Sequence, residues 1–438
     1  MVLLLGIYYL APFLRWNRGE HAPDQAILID MAHQRAYFFF IEIWPQEVFY
    51  LTGILVLAAL GLFFVTSLFG RVWCGYACPQ TVWTDLFVWV ERIVQGDRAK
   101  RQKLHNAPWS LEKVGKMMLT HFLWLVIGLF TGGAWVFYFN DAPTLLEHIL
   151  HLDVPWSVLG WIVSLTFSTY LMAGFARDQV CEYMCPYARF QSAMFDKNTL
   201  IIGYDEERGE KRGKHKKGDS WEGRGHCVDC TACVQVCPMG IDIRDGLQME
   251  CIACGLCIDA CDTVMEKLEL PKGLIRYDTP YNQESRTTGR PEKTKILRAR
   301  TIYYSVLLSL VGAAIAYGLV NRNMTEIHVL RDRNPLFVAL SDGTVRNGYD
   351  IKILNKTHAD RVYQLSVKGM PGLEMRVQGF GDVTVDHLPV FADSVGHFRI
   401  FVTAPKPEQQ RSPIVFTLVD TAASANDHHY DGLFVSGK

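Results

Sequence analysis

Long uninterrupted apolar runs organise the chain up to about residue 320, and short alternating apolar and polar positions take over beyond residue 325. Four runs, residues 49–69, 119–139, 155–176 and 301–320, stay apolar for a membrane-crossing length. About 20 residues at 1.5 Å rise span a hydrocarbon core of roughly 30 Å. A fifth stretch, MVLLLGIYYLAPFL, starts at Met1 and meets Pro12. It has no basic leader and no small-residue cleavage site, so it does not read as a signal peptide. It reads as the outer part of a spanning helix whose start lies upstream, with a short interfacial helix as the alternative. The pattern predicts a multi-domain membrane protein built on an α-helical transmembrane bundle of about five helices.

Past residue 325 the segments EIHVL, LFVAL, YDIKIL, VYQLSV, LEMRV, VTVDHL, HFRIFV and IVFTLV alternate in the strand period, separated by Gly, Pro, Asn and Asp. That spacing predicts an antiparallel β-sandwich of immunoglobulin type over residues 325–438. It has no cysteine, so its stability has to come from its apolar core.

Charge adds orientation. Residues 71–118 carry Arg71, Arg92, Arg98, Lys100, Arg101, Lys103, Lys113 and Lys116, whereas residues 140–154 carry no Lys or Arg. By the bias of Lys and Arg toward cytoplasmic loops, 71–118 and 177–300 are expected on the cytoplasmic side and 321–438 outside. Trp73, Trp83, Trp89, Trp109, Trp156 and Trp161 fall near run ends, as an interfacial belt would. A net charge of −1 argues against nucleic acid as a partner. Residues 203–226, rich in Gly and in both charges, read as a mobile linker, its KHKK run as solvated. Residues 276–300 read as a second, basic linker.

All twelve cysteines lie between Cys74 and Cys261, too clustered for a disulfide-stapled fold. CVDCTACVQVCP (227–238) and CIACGLCIDACD (251–262) each repeat Cys-x2-Cys-x2-Cys-x3-Cys. This is the two-cluster ferredoxin pattern, in which the fourth cysteine of each run serves the other cluster. Cys227, Cys230, Cys233 and Cys261 are expected on one 4Fe–4S cluster, and Cys251, Cys254, Cys257 and Cys237 on the other, in a domain spanning 227–275. Small residues Ala232, Ala253 and Gly255 leave room for them. Two zinc sites are the competing reading, disfavoured by two complete four-cysteine runs. Pro238 follows the first run but Asp262 the second; a carboxylate there would lower that cluster's potential.

The remaining cysteines form two Cys-x-x-x-Cys-Pro stretches, Cys74/Cys78 and Cys181/Cys185, each after an apolar run and on the same expected membrane face. Helical i, i+4 spacing would align both sulfurs of a pair, with proline ending the turn. Such thiols suit Cu(I), a dithiol–disulfide cycle or a third cluster, and free cysteines also serve as small buried hydrophobes. His121 could join them as a ligand, though an interfacial histidine bonded to a carbonyl is the plainer reading. Asp85, Asp178 and Glu182 could relay protons or be solvated carboxylates. His428 and His429 could bind metal or belong to a mobile tail.

The segments WCGYACPQTVWTDLFVWVER and CEYMCPYARFQ, the paired ferredoxin motif with GIDIRDGLQMECIACGLCIDACD, and the C-terminal β domain resemble the FixG/CcoG/RdxA family of cytochrome c oxidase accessory proteins. The resemblance runs from about residue 7 to the C-terminus. It implies a multi-pass iron–sulfur protein of the bacterial inner membrane, its β domain periplasmic, that reduces Cu(II) to Cu(I) while a cbb-type oxidase is assembled. The eight ferredoxin cysteines would hold the clusters, and Cys74, Cys78, Cys181 and Cys185 the copper. Partners would be copper ion, the lipid bilayer, a cytoplasmic electron donor, and oxidase subunits or copper chaperones. Whether the two thiol pairs meet in one protomer or across a homodimer stays open. Two other readings compete: a quinol- or ferredoxin-linked conduit resembling NapH and NosR, and an assembly scaffold.

Overall fold

The computed structural model describes residues 1–19, 22–215, 220–293, 295–379, 383–422 and 427–437. Two compact units emerge, residues 1–15 with 25–316, and residues 16–24 with 317–438.

In the first, the helices long and apolar enough to cross a membrane are Pro45–Phe69, Leu111–Val136, Trp156–Met184 and Ala299–Val320, with a shorter apolar helix at Val2–Phe13. In the first and last of the long helices almost no residue is fully buried by protein, as in helices that face hydrocarbon. The second begins at Leu111 rather than 119, because Ser110 caps it by accepting the Lys113 N–H at 3.2 Å. The third runs beyond 176 through two π-helical turns, Met172–Ala176 and Val180–Met184. Such wide turns keep the backbone paired while re-aiming side chains. Residues 27–43, which the apolar pattern leaves unassigned, form a three-stranded meander, with Ile27↔Phe38 and Phe38↔Ile41 in register.

The expected linkers are more ordered than their composition suggests. Strand Ile201–Tyr204 pairs antiparallel with Ile275–Asp278, so the ferredoxin unit starts before 227 and ends after 275. Tyr204, inside the stretch expected to be a mobile linker, is buried against Cys227 and Met265. The strand carries buried Ile201 and Ile202 beside Tyr204, so the apolar segment upstream runs two residues into the stretch rich in charge. Downstream, Gly213 donates to the Cys227 carbonyl at 3.0 Å. Lys216 and Lys217 of the KHKK run lie outside the described residues. The second linker holds helix Pro280–Thr287, capped by Thr279, which accepts the Asn282 N–H at 3.2 Å.

The other unit is a β-sandwich. One sheet runs Glu374–Val377, Ser394–Pro405, Thr344–Asn355, Thr325–Arg331, with Val338–Ala339 beside Thr344–Asn355. The facing sheet runs Leu388–Val390, Arg361–Lys368, Arg411–Asp420, Asp427–Val435. Ile351, Ile353, Ile400 and Val402 from one sheet and Leu365, Phe416, Leu418 and Phe434 from the other close a dry core without a cysteine. The tail expected to be mobile is instead an edge strand. His428 and His429 pair with Leu418 and Thr417, and the His429 ring lies 3.0 Å from the Thr417 hydroxyl.

Candidate functional site

The two ferredoxin loops share one backbone device. Counting from the first cysteine of each, the residues at the second and fourth positions turn left-handed: Asp229 (φ 51°) and Thr231 (φ 57°) in one, Ala253 (φ 56°) and Gly255 (φ 79°) in the other. Alternating handedness turns successive amides to the concave side, the arrangement that receives anionic groups. Each loop then enters a helix, Ala232–Val236 or Leu256–Lys267.

Two hollows of about 350 Å³ each, counting their open mouths, lie beneath. Cys227, Cys230, Cys233 and Cys261 line the first; Cys237, Cys251, Cys254 and Cys257 line the second, with Cys233 on the shared wall. Each hollow thus meets three cysteines of one run and the last cysteine of the other. Among the described residues, no three His, Cys, Asp or Glu side chains converge on a single metal ion. Four thiols spread around a hollow, rather than pinched to a point, fit a cubane of four irons. Burial pushes the Cys254 thiol up to about 11 and those of Cys257 and Cys261 up to about 12. Each therefore has to release a proton to become a ligand.

The surroundings of the hollows differ. Buried Arg244 faces the first, held by Asp242 (Nη2–Oδ2 2.6 Å) and Asp229 (Nη1–Oδ1 2.7 Å). The second is walled by Ile202, Pro238, Met239, Ile241, Ile243 and Ile252. The departure at Asp262 also has a structural reason. In the first run the helix stops at Val236, and Cys237 is extended before Pro238. In the second the helix continues to Lys267, where proline would break it, and Asp262 accepts the Gly273 N–H at 2.9 Å.

The two Cys-x-x-x-Cys-Pro stretches adopt a shared conformation that differs from plain i, i+4 spacing. Cys74 lies in the short helix Val72–Tyr76 and Cys181 in the π-turn, but Cys78 (ψ 128°) and Cys185 (ψ 111°) have already left the helix. Pro79 and Pro186 open the next helices, Pro79–Val94 and Pro186–Met194, where a missing N–H costs nothing. Thr81 donates to the Cys74 carbonyl at 2.6 Å and fixes the bend.

The stretches interlock. Gln191, fully buried, exchanges bonds with Cys74: the thiol donates to Oε1 at 3.5 Å and Nε2 donates to the sulfur at 3.4 Å. One turn earlier on the same helix, Tyr187 meets Thr66, and Arg71 donates to the Ala188 carbonyl. Gln80 donates to the Met172 carbonyl at 2.9 Å from the opposite direction. Burial pushes Cys74 up to about 11, and the neighbouring Cys78 and Cys185 add to the rise. His121 is partnered by aromatic residues: its Nδ1 lies 3.0 Å from the Tyr170 hydroxyl, and its ring stacks on Phe175. Asp85 and Asp178 are exposed and Glu182 half-buried. Arg244 and Gln191, which the cysteine spacing does not reveal, complete the two thiol environments; CPYARFQ carries Gln191 in the open, but only the fold gives it a partner.

Three family models match: a 4Fe-4S binding domain over residues 51–96, a 4Fe-4S dicluster domain over 176–280, and the IG-like fold at the C-terminal of FixG over 315–436. The nitrogen fixation protein FixG of Rhizobium meliloti is 48% identical across 98% of this chain and 87% of its own length. Protein RdxA of Cereibacter sphaeroides is 46% identical across 98% and 90%, and RdxB of the same organism 48% across 98% and 91%. Similarity of this extent, carried through the spanning helices, both ferredoxin loops and the sandwich, makes the chain a member of the FixG/RdxA family of membrane iron–sulfur electron-transfer proteins.

Proposed function

We propose that this protein reduces Cu(II) to Cu(I) at the membrane surface, for the copper centre of a cbb-type cytochrome c oxidase. The observation that carries the reading is the interlock of the two thiol pairs around Cys74 and Gln191. Cys74, Cys78, Cys181 and Cys185 would bind the ion. Thiolates favour the Cu(I) product, and two suffice for it, so a pair rather than a convergent quartet meets the need. Each thiol gives up its proton as the metal arrives. Cys227, Cys230, Cys233 and Cys261 would hold one 4Fe–4S cluster, and Cys251, Cys254, Cys257 and Cys237 the other. Bound there, the clusters supply low-potential one-electron storage. One electron is consumed per copper, and a reduced one-electron carrier on the Lys- and Arg-rich, cytoplasmic side replaces it. The exported sandwich would face the oxidase or a copper chaperone.

The test is anaerobic. The purified protein is photoreduced and given one equivalent of Cu(II), while the visible cluster band and a Cu(I)-specific chelator are followed together. Cluster reoxidation in step with Cu(I) appearance, lost when all four thiols become Ser while both EPR signals persist, is the expected result. Reduced clusters that ignore Cu(II) but respond to a quinone would replace this reading with a quinol-linked conduit.

A further inference from the structure

The helix carrying Cys74 touches the second ferredoxin loop through backbone, with no side chain between. A β-carbon on Gly75 would lie 2.8 Å from the Ile252 carbonyl oxygen and 3.0 Å from both the Ala253 carbonyl oxygen and the Cys254 Cα. Only a glycine lets the two segments come this close. The next residue continues the contact. Tyr76 donates its hydroxyl to the Cys254 carbonyl at 2.9 Å, and Tyr277, from the ferredoxin strand, donates to the Ala253 carbonyl at 2.8 Å. The two hydroxyls lie 3.0 Å apart. Arg71, at the start of the same turn, donates to the Met249 carbonyl. The turn that presents Cys74 thus meets the backbone of Met249, Ile252, Ala253 and Cys254, and Tyr277 adds a bond to Ala253 from within the ferredoxin unit. Nothing equivalent among the described residues ties the Cys227–Cys233 loop to either thiol pair; its bonds run to Gly209, Gly213 and Arg244.

We infer that Gly75, Tyr76 and Tyr277 are positioning residues that seat the Cys251–Cys257 loop against the Cys74 turn, so that a cluster held by that loop would be the immediate electron donor to Cu(II) bound at the membrane-face thiols. The other cluster, beside exposed Cys230, becomes the entry point. The inference rests on the copper reading above. The step it adds moves one electron and no atom: Cu(II) becomes Cu(I), and the electron comes from the reduced protein.

The test uses the full chain in nanodiscs. Tyr76→Phe and Tyr277→Phe each delete one hydroxyl and keep the ring; Gly75→Val forces the segments apart. Iron and sulfide content and both EPR signals are expected to survive in the Phe variants. Hydrogen–deuterium exchange over residues 249–257 is expected to rise roughly three- to tenfold as the loop loses a tether. Cu(I) production should fall about tenfold with Phe and about a hundredfold with Val, the scale of a 1 Å misplacement. Reoxidation of the same clusters by ferricyanide, which needs no seat, should not change. If Gly75→Val fails to fold, the Phe pair carries the result. Unchanged exchange and unchanged Cu(I) production in both Phe variants would overturn the seating. If the wild type makes no Cu(I), the copper reading fails instead, and exchange over 249–257 still decides the seat: raised, it stands; unchanged, it falls.

Discussion

Arg177 reaches from the third long apolar helix to Glu91 at 2.5 Å, and Glu91 binds Arg101 with its other oxygen. One buried carboxylate therefore ties the helix that follows Cys78 to the turn that precedes Cys181. Replacing Glu91 with Gln leaves two guanidinium groups sharing a neutral amide in a site of low polarity. A loss of roughly 3 kcal/mol is expected, the scale for breaking a buried ion pair. Maleimide labelling of Cys74 and Cys181 should rise in Glu91→Gln as the stretches separate; unchanged labelling would show that Gln80 and Gln191 hold them unaided.

Arg244 faces the hollow of Cys227, Cys230, Cys233 and Cys261. A cation beside a cluster favours its reduced, more negative state. Arg244→Gln should lower the midpoint potential of that cluster by on the order of 60 mV, which is tenfold for a one-electron couple. Arg244→Lys should restore part of the shift, and the other cluster should stay put. EPR-monitored redox titration reads both at once, and equal shifts in the two signals would point to a general structural effect.

Asp262 marks the place where the second cysteine run departs from the first. Asp262→Ala removes one bond to Gly273 and is expected to cost about 1 kcal/mol. Asp262→Pro, which would make the two runs match, puts proline inside helix Leu256–Lys267 and should cost roughly 3 kcal/mol. Thermal loss of the visible cluster band measures both. A proline variant as stable as wild type would mean that the helix ends before residue 262.

The Cys74 thiol, pushed up to about 11 by burial, is almost wholly protonated at neutral pH. In a variant with Cys78, Cys181 and Cys185 changed to Ser, its alkylation by iodoacetamide should climb about tenfold per pH unit through pH 8 to 10, because only the thiolate reacts. A plateau near pH 8.5, where an ordinary thiol levels off, would contradict the buried placement.

Much of the architecture can be read along the chain. Membrane spans announce themselves because hydrocarbon tolerates no long polar stretch. The sandwich shows in its alternation, and the iron–sulfur chemistry in cysteine spacing that a single loop has to carry. The misreadings fall where contiguous composition misleads. Tyr204 was hidden in a charged stretch, the strands of residues 27–43 among aromatics, and His428 and His429 in a polar tail that pairs through its backbone.

Local pattern alone therefore decided where the four long apolar helices lie, that iron–sulfur clusters are carried, and that a β domain follows them. Those properties depend on burial and ligand spacing within a few consecutive residues. Tertiary structure decided that Gln191 meets Cys74, that Arg244 faces one hollow and apolar walls surround the other, and that Gly75 lies against Ile252. Residues 75 and 252 carry no mark of each other in sequence. Their contact exists because the helix order and the 201–204/275–278 strand pair return the ferredoxin loop to the turn that bears the thiol.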